Sequence, residues 1–412
     1  MALKRATDGT MQSRVHRPTV SSWALPVLLA AALGACATTE PVEQPWPVAD
    51  THCASATVLL DAHFEAGNLG HCTVSDDGVF TLALFPEDSP PINPSAWYAF
   101  RASGKAGDVV NVRLEIEHGY ARYWPKISTD ATHWVPLDDD KVTGGGEASK
   151  LMEFSFVLDG SLAWIAGQEI LDSRYYQAWM QEMESVDGTE SHLLGESVQG
   201  RPIYLAETRD KPEFILFIGR QHPPEVTGAL GMRPFMDTVF SDTELAKRFR
   251  ERFKLGVVPF LNPDGVANGH WRHNVGETDL NRDWGAFAQP ETQAVMQWVE
   301  QQEADGLELK LVLDFHSTWE DLFYTQPAVE EPKDYASTWL DASRERNPDF
   351  PFRHVQSTDF IQPNSKNYFY NSRGIPAITY EVGDETDRDL IREAAIVFAE
   401  EMMRTMLETP EK

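Results

Sequence analysis

Two hydrophobic patterns divide the chain. From about residue 50 to 165 the apolar positions fall in short runs rich in β-branched and aromatic residues: ATVLLDAHF, GVFTLALFP, SAWYAFRAS, DVVNVRLEIE and LMEFSFVLD. Gly, Pro and Asp clusters separate these runs, and no amphipathic segment of helical length interrupts them, so the pattern predicts strands. VTGGGEASK reads as a hairpin tip or loop. A succession of this kind predicts a small antiparallel β-sandwich.

The period then changes. RYYQAWMQEMES repeats its apolar residues at helical spacing. Beyond it YLAETR, FILFIG, KLGVVPFLN, LKLVLDFH and PAITYEVG are mostly apolar, as expected of strands buried on both faces. Between them lie the helix candidates VTGALGMRPFMDTVFSD, TELAKRFRER, PETQAVMQWVEQQE, YASTWLDASRER and DLIREAAIVFAEEMMRTML. The alternation predicts a three-layer α/β/α domain around a mixed sheet. The expected organisation is a leader over residues 1–35, a tether over 36–50, the β-sandwich over 51–165 and the α/β domain over 166–412.

In open α/β sheets ligands gather at the carboxyl ends of strands. FILFIG ends in Arg220-Gln221-His222-Pro223-Pro224-Glu225, and VVPFLN runs into Pro263-Asp264-Gly265. LVLDFH closes on His316, and AITYE closes on Glu381. The His-x-x-Glu pair alone could be a proline-stiffened turn, since a chain with 12 histidines shows such a pair by chance. A catalytic zinc needs three protein ligands, typically His and Glu, with a further position open. His222 and Glu225 can turn to one side of a tight loop, and Pro223 and Pro224 restrict the backbone between them. His316 can supply a third ligand from a neighbouring strand; a lone buried histidine there would otherwise be a hydrogen-bonded core residue. Glu381 ends an apolar strand, where an unpaired charge is costly unless it faces a site or a salt-bridge partner. It is the candidate base that takes the proton of the attacking water and returns it to the leaving amine.

With these residues in view, the part of the chain from about residue 170 to the end resembles the zinc carboxypeptidase family typified by the pancreatic digestive enzymes. The matching pieces are HPPE, NPDG, HWRHN, DLNRDW, DFHS and TYE, in the family's order. The resemblance implies one zinc ion per chain, held by His222, Glu225 and His316, with Glu381 as general base. It implies that Asn281 and Arg282 grip the substrate's terminal carboxylate, for which a guanidinium fork is suited. Arg272 matches the arginine that polarises the scissile carbonyl and stabilises its oxyanion. Asp279 matches a carboxylate that orients the first zinc histidine from behind.

The N-terminal region sharpens the resemblance. FEAGNLG followed by a strand with Trp97, Tyr98, Phe100 and Arg101 is similar to the N-terminal domain of the cytosolic carboxypeptidase branch, whose members remove acidic residues from protein tails. This chain has Pro224 where that branch usually has glycine. In the pancreatic enzymes a residue near the start of the strand pair before the catalytic glutamate sets the preference for the last side chain; aligned on NSKNYFYNSRGIPAITYE, that residue is Lys366, a cation suited to an acidic side chain, with a solvated lysine as the alternative. The family's mobile tyrosine has no clear counterpart, and Phe360 nearby lacks the hydroxyl.

Composition and charge then narrow the setting. A chain of 412 residues, 42% hydrophobic and 24% charged, suits two globular domains and not a disordered chain. Lys4, Arg5, Arg14 and Arg17 precede the apolar run WALPVLLAAALGA, which is too short to span a bilayer, a task for about 20 apolar residues. Leu33-Gly34-Ala35-Cys36 resembles the lipobox of bacterial lipoproteins, so Cys36 is the expected lipidation site and the protein is expected on a bacterial envelope membrane, facing the periplasm. An ordinary secretory signal is the alternative. Without residues 1–35, which carry four basic residues and one acidic residue, the formal charge of −29 becomes −32. A surface of that sign repels phosphate backbones and argues against nucleic acid as a partner. Cys53 and Cys72 remain, and in an oxidising compartment they are expected to pair, contributing about 3 kcal/mol, with two separate thiols as the alternative.

The resulting expectation is a zinc metallocarboxypeptidase acting on the C-terminal ends of peptides or protein tails, with a preference for acidic (Glu/Asp) last residues. Three other readings stay open: a peptidoglycan stem-peptide hydrolase, a deacylase of the same fold, and a non-catalytic binding lipoprotein.

Overall fold

The structure, a computed structural model, describes residues 49–409 apart from 91, 93–94, 147 and 328–331. The expected leader, most of the tether and Cys36 lie outside the described residues. The described residues belong to one compact unit.

Eleven short strands come first: β1 (His52–Ala54), β2 (Leu59–Asp61), β3 (His71–Val74), β4 (Val79–Leu84), β5 (Ala99–Ser103), β6 (Val109–Ile116), β7 (Lys126–Ser128), β8 (Val135–Pro136), β9 (Val142–Gly144), β10 (Leu151–Val157) and β11 (Leu162–Ala166). They form a six-stranded sheet in the order β1-β2-β5-β11-β7-β8 and a five-stranded sheet in the order β3-β4-β6-β10-β9. Along β6 buried and exposed residues alternate strictly, which is the pleat turning Val110, Val112, Leu114 and Ile116 inward. One pair departs from the antiparallel expectation: β4 and β6 run parallel. Between them the chain crosses to the other sheet as β5, so it re-enters the first sheet in its original direction. The VTGGGEASK stretch opens as β9 and turns into β10, with which it pairs. Cys53 and Cys72 form a disulfide across β1 and β3, with Cα atoms 6.0 Å apart.

The rest of the chain builds an eight-stranded mixed sheet from β12 (Thr189–Glu196), β13 (Pro202–Thr208), β14 (Glu213–Gly219), β15 (Phe253–Val258), β16 (Glu308–Thr318), β17 (Leu322–Thr325), β18 (Arg353–Gln356) and β19 (Ala377–Gly383). Their order is β12-β13-β15-β14-β16-β19-β17-β18, and the central four are parallel. Every residue of β14 is buried. Ile215 and Phe217 enter one core, while Phe214, Leu216 and Ile218 enter the other.

Helices cover both faces. Residues of α1 (Ser173–Glu184), α2 (Val226–Val239), α3 (Glu244–Arg252), α6 (Tyr335–Arg346) and α8 (Arg388–Glu408) join the first core through Trp179, Phe235, Phe249, Trp339 and Phe398. The short α4 spans Pro263–Ala267. On the opposite face α5 (Pro290–Ala304) and α7 (Ser365–Arg373) contribute Val295, Val299 and Phe369. The three expected layers are therefore present. The first core also contains Leu82, Phe100 and Leu114 of the β-sandwich, so apolar packing runs without a break from one sheet system to the other. Among the described residues no helix is long and apolar enough to cross a membrane.

Candidate active site

The carboxyl ends of β14, β16 and β19 meet at one cavity of about 370 Å³. After Gly219 the chain must reverse sharply, and Arg220 adopts a left-handed conformation (φ 53°) to do so. Its guanidinium closes the turn from above: Nε donates to Pro223 O (2.9 Å) and Nη1 to the Tyr176 hydroxyl (2.8 Å). The turn presents His222 and Glu225 together, with Glu225 immediately preceding α2. That helix can lie against β16 only because Gly228 has no side chain, since a Cβ there would meet His316 O at 2.6 Å.

His222, Glu225 and His316 are all buried, and one ligand atom of each lies within 4.8 Å of the others. Both imidazole Nδ1 atoms face the Glu225 carboxylate, at 2.8 Å for His222 and 2.7 Å for His316. Both Nε2 atoms are held from behind by carboxylates: Asp279 Oδ1 lies 2.9 Å from His222 and Asp314 Oδ2 lies 3.0 Å from His316. A proton on each Nε2 satisfies those carboxylates and leaves each Nδ1 lone pair aimed at a shared point beside Glu225. Two imidazoles and one carboxylate converging in this way are the donor set of a catalytic zinc site, and the residues fit the ion. Asp314 is itself fixed, accepting from Gln221 Nε2 (2.5 Å) and from the Ser365 hydroxyl. Burial opposes ionisation of Asp279, yet His222, Arg272 and Arg282 outweigh it and hold the carboxyl far below its ordinary range.

Glu381 stands opposite His316 in the parallel register of β16 and β19. Its Oε2 is shielded from solvent and has no hydrogen-bond partner. Burial pushes the carboxyl up to about 7, against the pull of His316. An unpartnered carboxylate oxygen beside a metal-ligand set, with a proton affinity near neutrality, is equipped to accept and return a proton. Arg272 donates from Nε to Asp279 Oδ2 (2.7 Å), so one carboxylate orients both a zinc histidine and this arginine. Asn281 takes its place through Asp279 as well, its N–H donating to Oδ1 (2.8 Å), while its side-chain oxygen accepts from Ser365 N (3.0 Å). Arg282 follows on the same turn, and its Nη1 donates to Asn281 O (2.7 Å).

Lys366 lines the same cavity, although it sits in the first turn of α7 and not on a strand. Its ammonium donates to Asn367 Oδ1 (2.7 Å), and burial pushes it down to about 8 against the attraction of Asp359. Eight residues singled out from the sequence therefore share one cavity: His222, Glu225, His316, Glu381, Arg272, Asn281, Arg282 and Lys366. Asp279 stands behind it. Phe360 turns away and stacks on Tyr370, with ring centroids 5.5 Å apart. The cavity wall does carry a phenol, that of Tyr324 of β17, which no sequence motif singles out. Arg122, from the segment between β6 and β7, also reaches the cavity and was not anticipated. Neither carries a local signal, because both arrive through pairings between distant parts of the chain.

The zinc carboxypeptidase family model matches residues 176–409, and the model of the cytosolic carboxypeptidase N-terminal domain matches residues 60–166. The cytosolic carboxypeptidase 6 of Caenorhabditis elegans is 24% identical over 332 residues, covering 71% of this chain and 70% of that protein. The cytosolic carboxypeptidase 2 of Danio rerio is 25% identical over 272 residues, 57% of this chain, which spans only 37% of that relative's length. Among solved structures, a metallo-carboxypeptidase from Burkholderia cenocepacia superposes with a TM-score of 0.72 over 85% of this chain and 99% of that one, at 18% identity, a likeness of fold.

Proposed function

The chain belongs to the zinc carboxypeptidase family, and on that footing we propose that it is a zinc-dependent metallocarboxypeptidase that removes single residues from the free ends of peptides or protein tails, with a preference for an acidic last residue. The observation that carries the reading is the meeting, in one cavity, of a zinc donor set, an unpartnered carboxylate and the cations Arg272, Arg282 and Lys366. The protein as a whole carries a formal charge of −29, so four cations gathered in one cavity, Arg122, Arg272, Arg282 and Lys366, stand out as a site for anionic groups of a ligand.

One zinc ion per chain would be held by His222, Glu225 and His316, where it would supply a Lewis acid for the scissile carbonyl and for water. Asn281 and Arg282 bind the substrate's terminal carboxylate, which places the last peptide bond beside Glu381. Glu381 removes a proton from the attacking water and delivers it to the departing amine. Arg272 meets the negative charge that develops on the carbonyl oxygen. Lys366 pairs with a carboxylate on the last side chain. The lipobox resemblance supports a protein tethered through Cys36 to a bacterial envelope membrane, with tails or peptides in the periplasm as substrates.

The test is a panel of peptides differing only in the last residue, offered to the zinc-loaded protein and to Lys366→Ala. Glu-ending and Asp-ending peptides should be cut fastest by the wild type, and that advantage should vanish in the variant. Equal rates for Glu-, Leu- and Lys-ending peptides in the wild type would sink the acidic preference. Muropeptides and N-acyl amino acids belong in the same panel; turnover of either in preference to the peptides would move the reading to a stem-peptide hydrolase or a deacylase.

A further inference from the structure

Two charged side chains of the β-sandwich region grip the backbone on which the catalytic groups stand. The first is Glu87, three residues beyond β4. Its carboxylate accepts from three consecutive backbone N–H groups, those of Trp271 (2.7 Å), Arg272 (2.9 Å) and His273. Beside it Asp88 Oδ2 lies 2.6 Å from His273 Nδ1. The stretch from Asn268 to Asp279 belongs to no helix or strand, so these N–H groups have no ladder partners and the carboxylate provides for them. Arg272 is thereby fixed at both ends, through its own N–H by Glu87 and through its guanidinium by Asp279.

The second is Arg122, which is 7% exposed. It holds Asp384 with two bonds, Nε to Oδ2 (2.6 Å) and Nη2 to Oδ1 (3.1 Å). Nη2 also donates to Ser317 O (3.1 Å), and Nη1 donates to the Ser95 hydroxyl (2.7 Å). Its plane lies over the rings of Tyr123 and Trp319. Ser317 is the residue after His316, and Asp384 is three residues after Glu381. One guanidinium therefore ties together the strand end that bears a zinc ligand and the strand end that bears the base. Bidentate arginine–carboxylate pairs in a buried setting hold geometry as well as charge.

We propose that Glu87 and Arg122 are positioning residues for the hydrolysis described above: Glu87 sets Arg272 toward the developing oxyanion, and Arg122 sets the spacing of His316 and Glu381. The β-sandwich is on this account a working part of the active site. The proposal rests on the carboxypeptidase reading for its kinetic consequences, and its zinc-binding consequence stands apart from that reading.

The experiment uses the full-length protein in two arms. In the first, Glu87→Ala should lower kcat on a Glu-ending peptide by roughly thirtyfold with KM changed less than about twofold, because the oxyanion contact matters most in the transition state. Introduced into Arg272→Ala, the same change should cost less than about twofold, since residues acting through one another do not add. Glu87→Gln, which keeps the volume and one acceptor oxygen, serves if the alanine variant fails to fold. Equal losses in both backgrounds would overturn the role of Glu87. In the second arm, zinc affinity is measured by competition with a fluorescent chelator and no substrate. Arg122→Ala, with Arg122→Lys as the folded alternative lacking the fork, should bind zinc about tenfold more weakly, as outer groups that orient ligands do. Wild-type zinc affinity in both variants would overturn the role of Arg122. A wild-type protein that binds zinc and cuts no peptide would remove the parent reading and the Glu87 arm, while the chelator measurement would still decide Arg122.

Discussion

The two walls of the cavity are built differently. On the metal side, His222, Glu225, His316, Asp279 and Asp314 sit at strand ends or in turns tied to them, and each imidazole is held through both ring nitrogens. On the recognition side, Lys366 projects from the start of a helix, and its ammonium donates to Asn367. The loop before it, from Ser357 to Asn364, lines the cavity through four residues and leaves Ile361 92% exposed at its tip. The first wall is over-determined, so a change there removes chemistry. On the second, the contact proposed for the last side chain rests on Lys366 alone, so a change at that residue redirects the enzyme without disabling it.

The strongest way to break this contrast is at the base. Glu381→Gln should lower kcat on the order of 10³-fold, within the range general acid–base catalysis supplies, while zinc content by elemental analysis stays at the wild-type level. Loss of zinc in that variant would mean that Glu381 belongs to the ligand set. Asp279→Ala comes next. It leaves His222 Nε2 and Arg272 Nε without their carboxylate, and zinc affinity should fall by about 10- to 100-fold in chelator competition. On the recognition wall, Lys366→Ala should cost roughly thirtyfold in kcat/KM, about 2 kcal/mol, for a Glu-ending peptide and almost nothing for a Leu-ending one. A similar drop for both peptides would make Lys366 part of the shared machinery and erase the distinction between the walls.

A milder test varies pH. Burial has pushed Lys366 down to about 8, so its charged form predominates below that value and is lost as pH rises through it. The ratio of Glu-ending to Leu-ending turnover should therefore fall between pH 7 and 9, and Lys366→Arg, which stays charged, should flatten that decline. The smallest expected effect on the site lies in the disulfide. Cys53→Ser with Cys72→Ser should cost about 3 kcal/mol of stability in denaturant melts and leave the zinc affinity of the folded protein unchanged.

Much of the metal wall was legible in the sequence because strand-end residues follow long apolar runs: FILFIG into His222, LVLDFH onto His316 and AITYE onto Glu381. Length and periodicity made those strands readable, and the three-layer architecture came with them. The recognition wall was less so. β17 and β18 have four residues each, too few to establish a period, and SKNYFYNSR places Lys366 on a helix where a strand pair was expected. Glu87 and Arg122 had no sequence signal at all, since their partners lie some 180 to 260 residues further along the chain. Such contacts are set by how the sandwich docks on the sheet. The expected lipidation at Cys36 concerns residues outside the described part and stands as a proposal.

On the proposed function, this cavity recognises a free chain end and hydrolyses the bond before it. It is tested most directly by giving the zinc-loaded protein one peptide in two forms, with a free and with an amidated carboxyl terminus, and following the products by mass. The free form should lose one residue at a time, and the amide, which leaves Arg282 and Asn281 without a carboxylate to hold, should show no detectable cleavage. Cleavage of both forms at comparable rates, or of internal bonds in either, would contradict it.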